Sequence, residues 1–147
     1  MNFNIQEINK HSVASDTDST FLCFEPVLRK QFPDLDLDDK DATLPKVKVL
    51  QKEIGELLNP YQSILAKEIL NCDEHHFDLK PEFIIQSAYW SGKRRYAQYQ
   101  VDKEGMPIEK LVVMGLDIMK SNFPPFFRDF GEKLIKQILF STKKSKV

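Results

Sequence analysis

A chain of 147 residues fits one domain and is long enough to bury a core, and its 41% hydrophobic content with sixteen aromatics is not the composition of a disordered segment. Two widely spaced cysteines, Cys23 and Cys72, outline neither a disulfide framework nor a four-ligand zinc site, and no apolar run approaches a membrane span. The net charge of −1 hides an asymmetry: residues 1–80 hold 9 lysines and arginines against 15 acids, residues 81–147 hold 12 against 7. An acidic half suits cations and a basic half suits phosphates.

The first twenty residues lack a basic start and an apolar core, so no signal peptide is expected and a reduced, cytoplasmic setting follows by default. Phe3 and Ile5 alternate with polar neighbours, and Asn9-Lys10-His11 offers a turn. Residues 12–15 and 20–25 read as a hairpin, with Asp16-Thr17-Asp18-Ser19 at its tip. The strands beside the acids are apolar, which predicts that the turn stands on a buried sheet, a rigid base for a metal site. Asp and Ser also favour turns for their own hydrogen bonds, so the pair by itself has an ordinary reading too.

The acidic stretch 34–41 has the opening spacing of a calcium loop, but Asp39 stands where glycine is needed and Pro45 where the closing glutamate is needed. It is read as a surface loop. From Leu44 a helical stripe runs through Val47, Leu50, Ile54, Leu57, Leu58, Tyr61, Ile64, Leu65 and Ile69. Pro60 interrupts it, which predicts two helices or one kinked helix, with Asn59 capping the second part and Pro60 at its first position. Residues 71–76 form a polar connection, and Cys72, His75 and His76 lack the further ligands of a zinc site.

Phe77–Leu79 and Phe83–Tyr89 read as strands. Trp90-Ser91-Gly92 turns the chain into a strand over 95–101, and Lys103-Glu104-Gly105 turns it again into 111–114, a β-meander. Ser121-Asn122 before Pro124 and Pro125 suits a helix start, and Phe127, Phe130, Leu134 and Ile138 form one face of the last helix. The basic, aromatic cluster Lys93-Arg94-Arg95-Tyr96 heads a strand and suits a nucleic-acid strand, while its ordinary reading is a solvated hairpin. The pattern as a whole predicts an α+β fold.

Three segments carry a resemblance. Val-Ala-Ser-Asp-Thr-Asp-Ser-Thr-Phe-Leu at 13–22 resembles the third polymerase motif of family B DNA polymerases. Tyr-Trp-Ser-Gly-Lys-Arg-Arg-Tyr-Ala at 89–97 resembles the lysine/tyrosine motif of that family. Met-Gly-Leu-Asp-Ile-Met-Lys-Ser at 114–121, followed by Pro124, resembles the palm-to-thumb junction of T-even-type phage replicative polymerases. The segments occur in the family's order and span about residues 10–140, and Asn59-Pro60, leading into a helix that ends near Asn71, also has a counterpart there.

The resemblance implies antiparallel palm hairpins with flanking helices over 1–120 and the beginning of the thumb over 121–147. It implies a DNA-directed DNA polymerase part in which Asp18, with Asp16 of the same acidic cluster, holds Mg2+ for two-metal transfer of a nucleotide from dNTP to a primer 3′-hydroxyl. Lys93, Arg94, Arg95 and Tyr96 would grip the primer–template, and Lys120 would extend the phosphate track. Arg128, Lys133 and Lys136 are equally consistent with DNA contact and with a solvated helix face.

The sequence departs from the family at Ala14-Ser15, where tyrosine and glycine are usual, and at Arg94, where a second lysine is usual. The exonuclease, the fingers and the first palm aspartate are not recognisable in this chain. The implied partners are therefore primer–template DNA, dNTP and a chain that supplies those parts, with a sliding clamp as a further partner and the host cytoplasm as the setting if the gene is a phage's. A non-catalytic DNA-binding remnant is the alternative, and an unrelated α+β domain the third reading. A remnant and a split-enzyme subunit differ in whether extension occurs when the partner is present.

Overall fold

The computed structural model describes residues 5–16, 19–117 and 124–141. The fold is α+β, with antiparallel sheets and a C-terminal helix, as the pattern predicts. Two compact units divide the chain, Met1–Pro81 and Glu82–Val147. The division falls where the charge changes sign along the sequence. No helix among the described residues is long and apolar enough to cross a membrane.

The first unit opens with α1 (Ile5–His11), where alternation and a turn were expected. Ile5 and Ile8 are three residues apart, a helical spacing, and Lys10 and His11 in the last turn suit the negative end of the helix dipole. The hairpin β1 (Ser12–Asp16) and β2 (Ser19–Leu22) follows. The second strand stops short of the expected residue 25, because Pro26 has no amide for a ladder and its fixed φ suits a first helical turn. The chain instead enters α2 (Glu25–Gln31), which buries Val27 and Leu28.

The acidic stretch is a turn and cap rather than a cation loop. Asp38 N donates to Asp36 Oδ1 at 2.9 Å, and Asp39 Oδ1 accepts from the amides of Asp41 and Ala42 at 3.0 and 3.2 Å. These bonds satisfy donors that the first helical turn leaves open. They start α3 (Lys40–Glu68) four residues before the apolar stripe announces it. The helix continues through Pro45 and Pro60. Val47, Leu50 and Ile54 are buried, whereas Tyr61, Ile64 and Leu65, beyond Pro60, are exposed. Asn71 ends the run in the left-handed region at φ 51°.

Asn59 does not cap a second helix. Its side chain reaches the chain that returns along α3: Leu79 N donates to Asn59 Oδ1 at 2.8 Å, and Asn59 Nδ2 donates to Asp78 Oδ1 at 3.1 Å. Residues 77–79, expected as a strand, are irregular. One amide side chain serves the backbone group that a sheet ladder would otherwise satisfy. Beside it, His75 stacks on Phe77 with ring centroids 5.4 Å apart, Phe77 N donates to His75 Nδ1, and the other ring nitrogen lies 3.0 Å from Ser63 Oγ.

The second unit is the expected meander. Strands β3 (Phe83–Gly92), β4 (Arg95–Lys103) and β5 (Met106–Met114) pair antiparallel in the order β3-β4-β5. Glu104 and Gly105 both have positive φ, as a two-residue hairpin turn requires, and Asp102 Oδ1 accepts from Gly105 N at 2.8 Å. On one face of the sheet, α4 (Pro125–Ser141) sets Ile135 and Leu139 on Ala97, with Tyr99, Leu111, Val113 and Leu116 around them. Ser87 Oγ donates to Leu139 O at 2.7 Å, which satisfies a carbonyl in the last helical turn.

The face of α4 chosen from the sequence is not the one that packs. Gly131, Ile135 and Leu139 are buried, and Phe127, Phe130, Leu134 and Ile138 are exposed. The helix carries two neighbouring apolar stripes. The one that packs sets Ile135 and Leu139 on Ala97 of the sheet. The expected helix start at Ser121-Asn122 lies outside the described residues.

Asn59→Ala removes the acceptor of the Leu79 amide and should cost the chain about 1 kcal/mol of stability. Hydrogen exchange should show the Leu79 amide losing protection first. Unchanged protection at Leu79 would mean that another group holds the returning segment.

Candidate metal and nucleic-acid interfaces

The two candidate sites lie in different units. In the first, β1 and β2 pair Asp16 with Ser19, Ser15 with Thr20 and Ala14 with Phe21. The described ladder reaches the Asp16–Ser19 pair. Thr17 and Asp18, where the catalytic aspartate is expected, lie outside the described residues. Asp16 closes β1 and is exposed. Ser15 Oγ lies 3.3 Å from Ser19 O and 3.3 Å from Thr20 Oγ1, so its hydroxyl braces the hairpin just below the tip. At the open end, Cys23 N donates to His11 O at 2.8 Å.

Among the described residues, the buried sheet expected under the acids is not found. This is a two-stranded ribbon, and Val13, Ser12, Ser15 and Asp16 are all exposed. An isolated hairpin buries too little to be rigid by itself. No group of three or more His, Cys, Asp or Glu among the described residues is placed to hold a metal ion. Asp16 brings one hard-oxygen carboxylate to the described part of this hairpin, the donor type that Mg2+ takes together with substrate phosphates.

In the second unit the turn falls on the basic cluster rather than on Trp90-Ser91-Gly92 before it. Trp90, Ser91 and Gly92 are still in β3, with Trp90 paired to Tyr96 and Gly92 to Arg95. The rings of Trp90 and Tyr96 lie 5.9 Å apart, and Ser91 Oγ donates to Arg95 O at 3.2 Å. Cross-strand aromatic pairing keeps this stretch extended. The turn is therefore Lys93-Arg94 itself, with Arg94 in the left-handed region at φ 57°. Lys93 and Arg94 are exposed at the tip, and Arg95 begins β4. Lys120 lies outside the described residues.

Arg95 is already engaged. Its Nε donates to Gly115 O at 3.2 Å, and one terminal nitrogen lies 2.8 Å from Asp117 Oδ2. Gly115 follows β5 at φ +64°, and a Cβ there would lie 2.3 Å from Arg94 O. Only glycine lets the chain leaving β5 pass so close to the basic turn. Asp117 belongs to this site and was missed. The signal lies in the register: Tyr96 pairs with Met114, which carries the residues after Met114 past Arg95 and the turn. At side-chain exposures of 52% and 57%, the ion pair adds under about 1 kcal/mol to stability. Its importance is in what it does to the guanidinium.

Of the last helix, Lys136 pairs with Glu132 at 3.0 Å across one turn. That is the arrangement of a solvated helix face.

No family model matches the chain, and no curated protein matches it.

Gly115→Ala should destabilise the chain by more than about 1 kcal/mol, because the substituted residue is strained at this φ and collides with Arg94 O. Chemical denaturation measures the loss. A variant as stable as the native chain would show that the β5 exit can move away from the turn without penalty.

Proposed function

We propose that the chain is the carboxyl-terminal part of a family B DNA polymerase palm with the beginning of the thumb, a fragment or a subunit of a split enzyme. The single observation that supports this best is the order of three motifs along one short chain: the acidic tip at 16–19, the basic turn at 93–96 and the junction at 114–121. Asp16 and Ser19 of the first motif pair across one antiparallel hairpin, and Lys93 and Arg94 of the second make the turn of another.

In this reading Asp18, together with Asp16, would hold Mg2+, which when bound supplies charge neutralisation for the triphosphate and acidifies the primer 3′-hydroxyl. Lys93 and Arg94 bring positive charge to the primer–template backbone, and Tyr96 sets an aromatic ring beside Trp90 at the same hairpin. Lys120 would continue the phosphate track. Substrates are dNTP and primer–template DNA. A partner chain supplies the exonuclease, the fingers and the first palm aspartate, with a sliding clamp as a further partner and the host cytoplasm as the setting for a phage gene.

The exposed apolar surface supports the need for a partner. Val13 in the acidic hairpin, Tyr61, Ile64 and Leu65 on α3, and the aromatic stripe of α4 are left in water. A run of exposed apolar residues along one helix face is a surface that another protein can cover. A second reading, a DNA-binding remnant without turnover, draws on Ala14-Ser15 and Arg94, the positions that depart from the family pattern.

Primer extension with Mg2+ separates the readings. With a chain that supplies the missing polymerase parts, the pair should extend a primer, this chain alone should not, and Asp18→Ala should abolish extension by the pair. Extension at an unchanged rate by the Asp18→Ala pair would remove the catalytic assignment. Primer–template binding that weakens with salt, with no extension in any mixture, would favour the remnant.

A further inference from the structure

The basic turn carries three consecutive cations, yet the third is bound to a carboxylate of the same chain. We infer that Asp117 is an intramolecular latch on Arg95, occupying the guanidinium that a phosphate group would otherwise take. This deepens the nucleic-acid reading above and rests on it.

The geometry is specific. Two donors of Arg95 point at the chain leaving β5: Nε at Gly115 O and a terminal nitrogen at Asp117 Oδ2. Gly115 holds that chain against the turn, since its Cα has no substituent to collide with Arg94 O. The carboxylate is thus delivered to Arg95 by backbone placement. The pair is half exposed, so water and ions reach it, and an anion can compete for the guanidinium. A phosphate oxygen presents the same acceptor chemistry as the carboxylate, and arginine takes either. While Asp117 is in place, the net charge of Arg95 with Asp117 is zero.

The contact to Gly115 O is independent of the carboxylate. Replacing Asp117 by Asn removes the charge but retains an oxygen that Arg95 can reach, and the backbone acceptor stays. The change is therefore electrostatic, with the turn still braced. Asp117→Ala serves as a second uncharged variant, and circular dichroism checks that both are folded.

The test uses the full chain with two probes, a labelled primer–template duplex across a sodium chloride series and inorganic tripolyphosphate. Asp117→Asn and Asp117→Ala should each bind the duplex about fivefold to tenfold more tightly at low salt, with the salt slope steeper by about one. The same variants should bind tripolyphosphate more tightly than the native chain. Arg95→Gln should leave the native salt slope unchanged and should cancel the gain when combined with Asp117→Asn. Affinities no higher in both uncharged variants would overturn the latch, as would a loss of about one in slope for Arg95→Gln alone, which would place Arg95 already on a phosphate. Failure of every protein to bind the duplex would count against the polymerase reading instead. The tripolyphosphate comparison would then decide the latch: a gain on removing Asp117 supports it, and no gain, or no binding, overturns it.

Discussion

Strand β4 is paired along both edges, and the second unit depends on that constraint. Every ladder bond to β3 and β5 fixes which residues lie across from one another. Because Gly92 meets Arg95, Lys93 and Arg94 have to make the turn. Because Tyr96 meets Met114, the chain leaving β5 has to run past Arg95. The alternation of side chains then assigns Ala97, Tyr99 and Val101 to one face, where Ala97 and Tyr99 meet α4. Gln98, Gln100 and Asp102 fall on the other face and are also buried. The buried polar row is the cost of keeping the register, and Asp102 recovers part of it by accepting from Gly105 N.

The acidic hairpin has no comparable support. Among the described residues its two strands have no third neighbour, and its outward residues include Val13. Short-range bonds hold it: Ser15 beneath the tip and Cys23 to His11 at the base. The family resemblance usually places glycine where Ser15 stands. Here the serine hydroxyl contributes a brace that glycine lacks. A substitution that costs backbone freedom therefore contributes a local contact in return.

Charge and apolar surface are arranged differently in the two units. The acids at 36 and 39 are spent on a turn and a helix cap, so a run that looks like a cation site is consumed by backbone donors. In the basic unit, Arg95 is spent on Asp117. In both cases, counting charges in the sequence overstates the number available to a ligand. The apolar stripe of α4 is misjudged in the same way, since the helix can present only one stripe to the sheet and the aromatic one stays outside.

The sequence by itself determined the α+β class, the hairpin that carries Asp16, the helical character on both sides of Pro60, the three-stranded meander and the terminal helix. These follow from local signals: periodicity, turn residues and proline, whose effects act within a few residues. It also carried the three motifs behind the polymerase reading. Tertiary structure alone decided that Asn59 clasps residue 79 rather than capping a helix, that Gly131, Ile135 and Leu139 are the packed stripe of α4, and that Arg95 is held by Gly115 and Asp117. Each joins residues far apart in sequence or chooses between two equally apolar faces. No local pattern distinguishes those alternatives, because the energy that separates them arises only when the distant partner arrives.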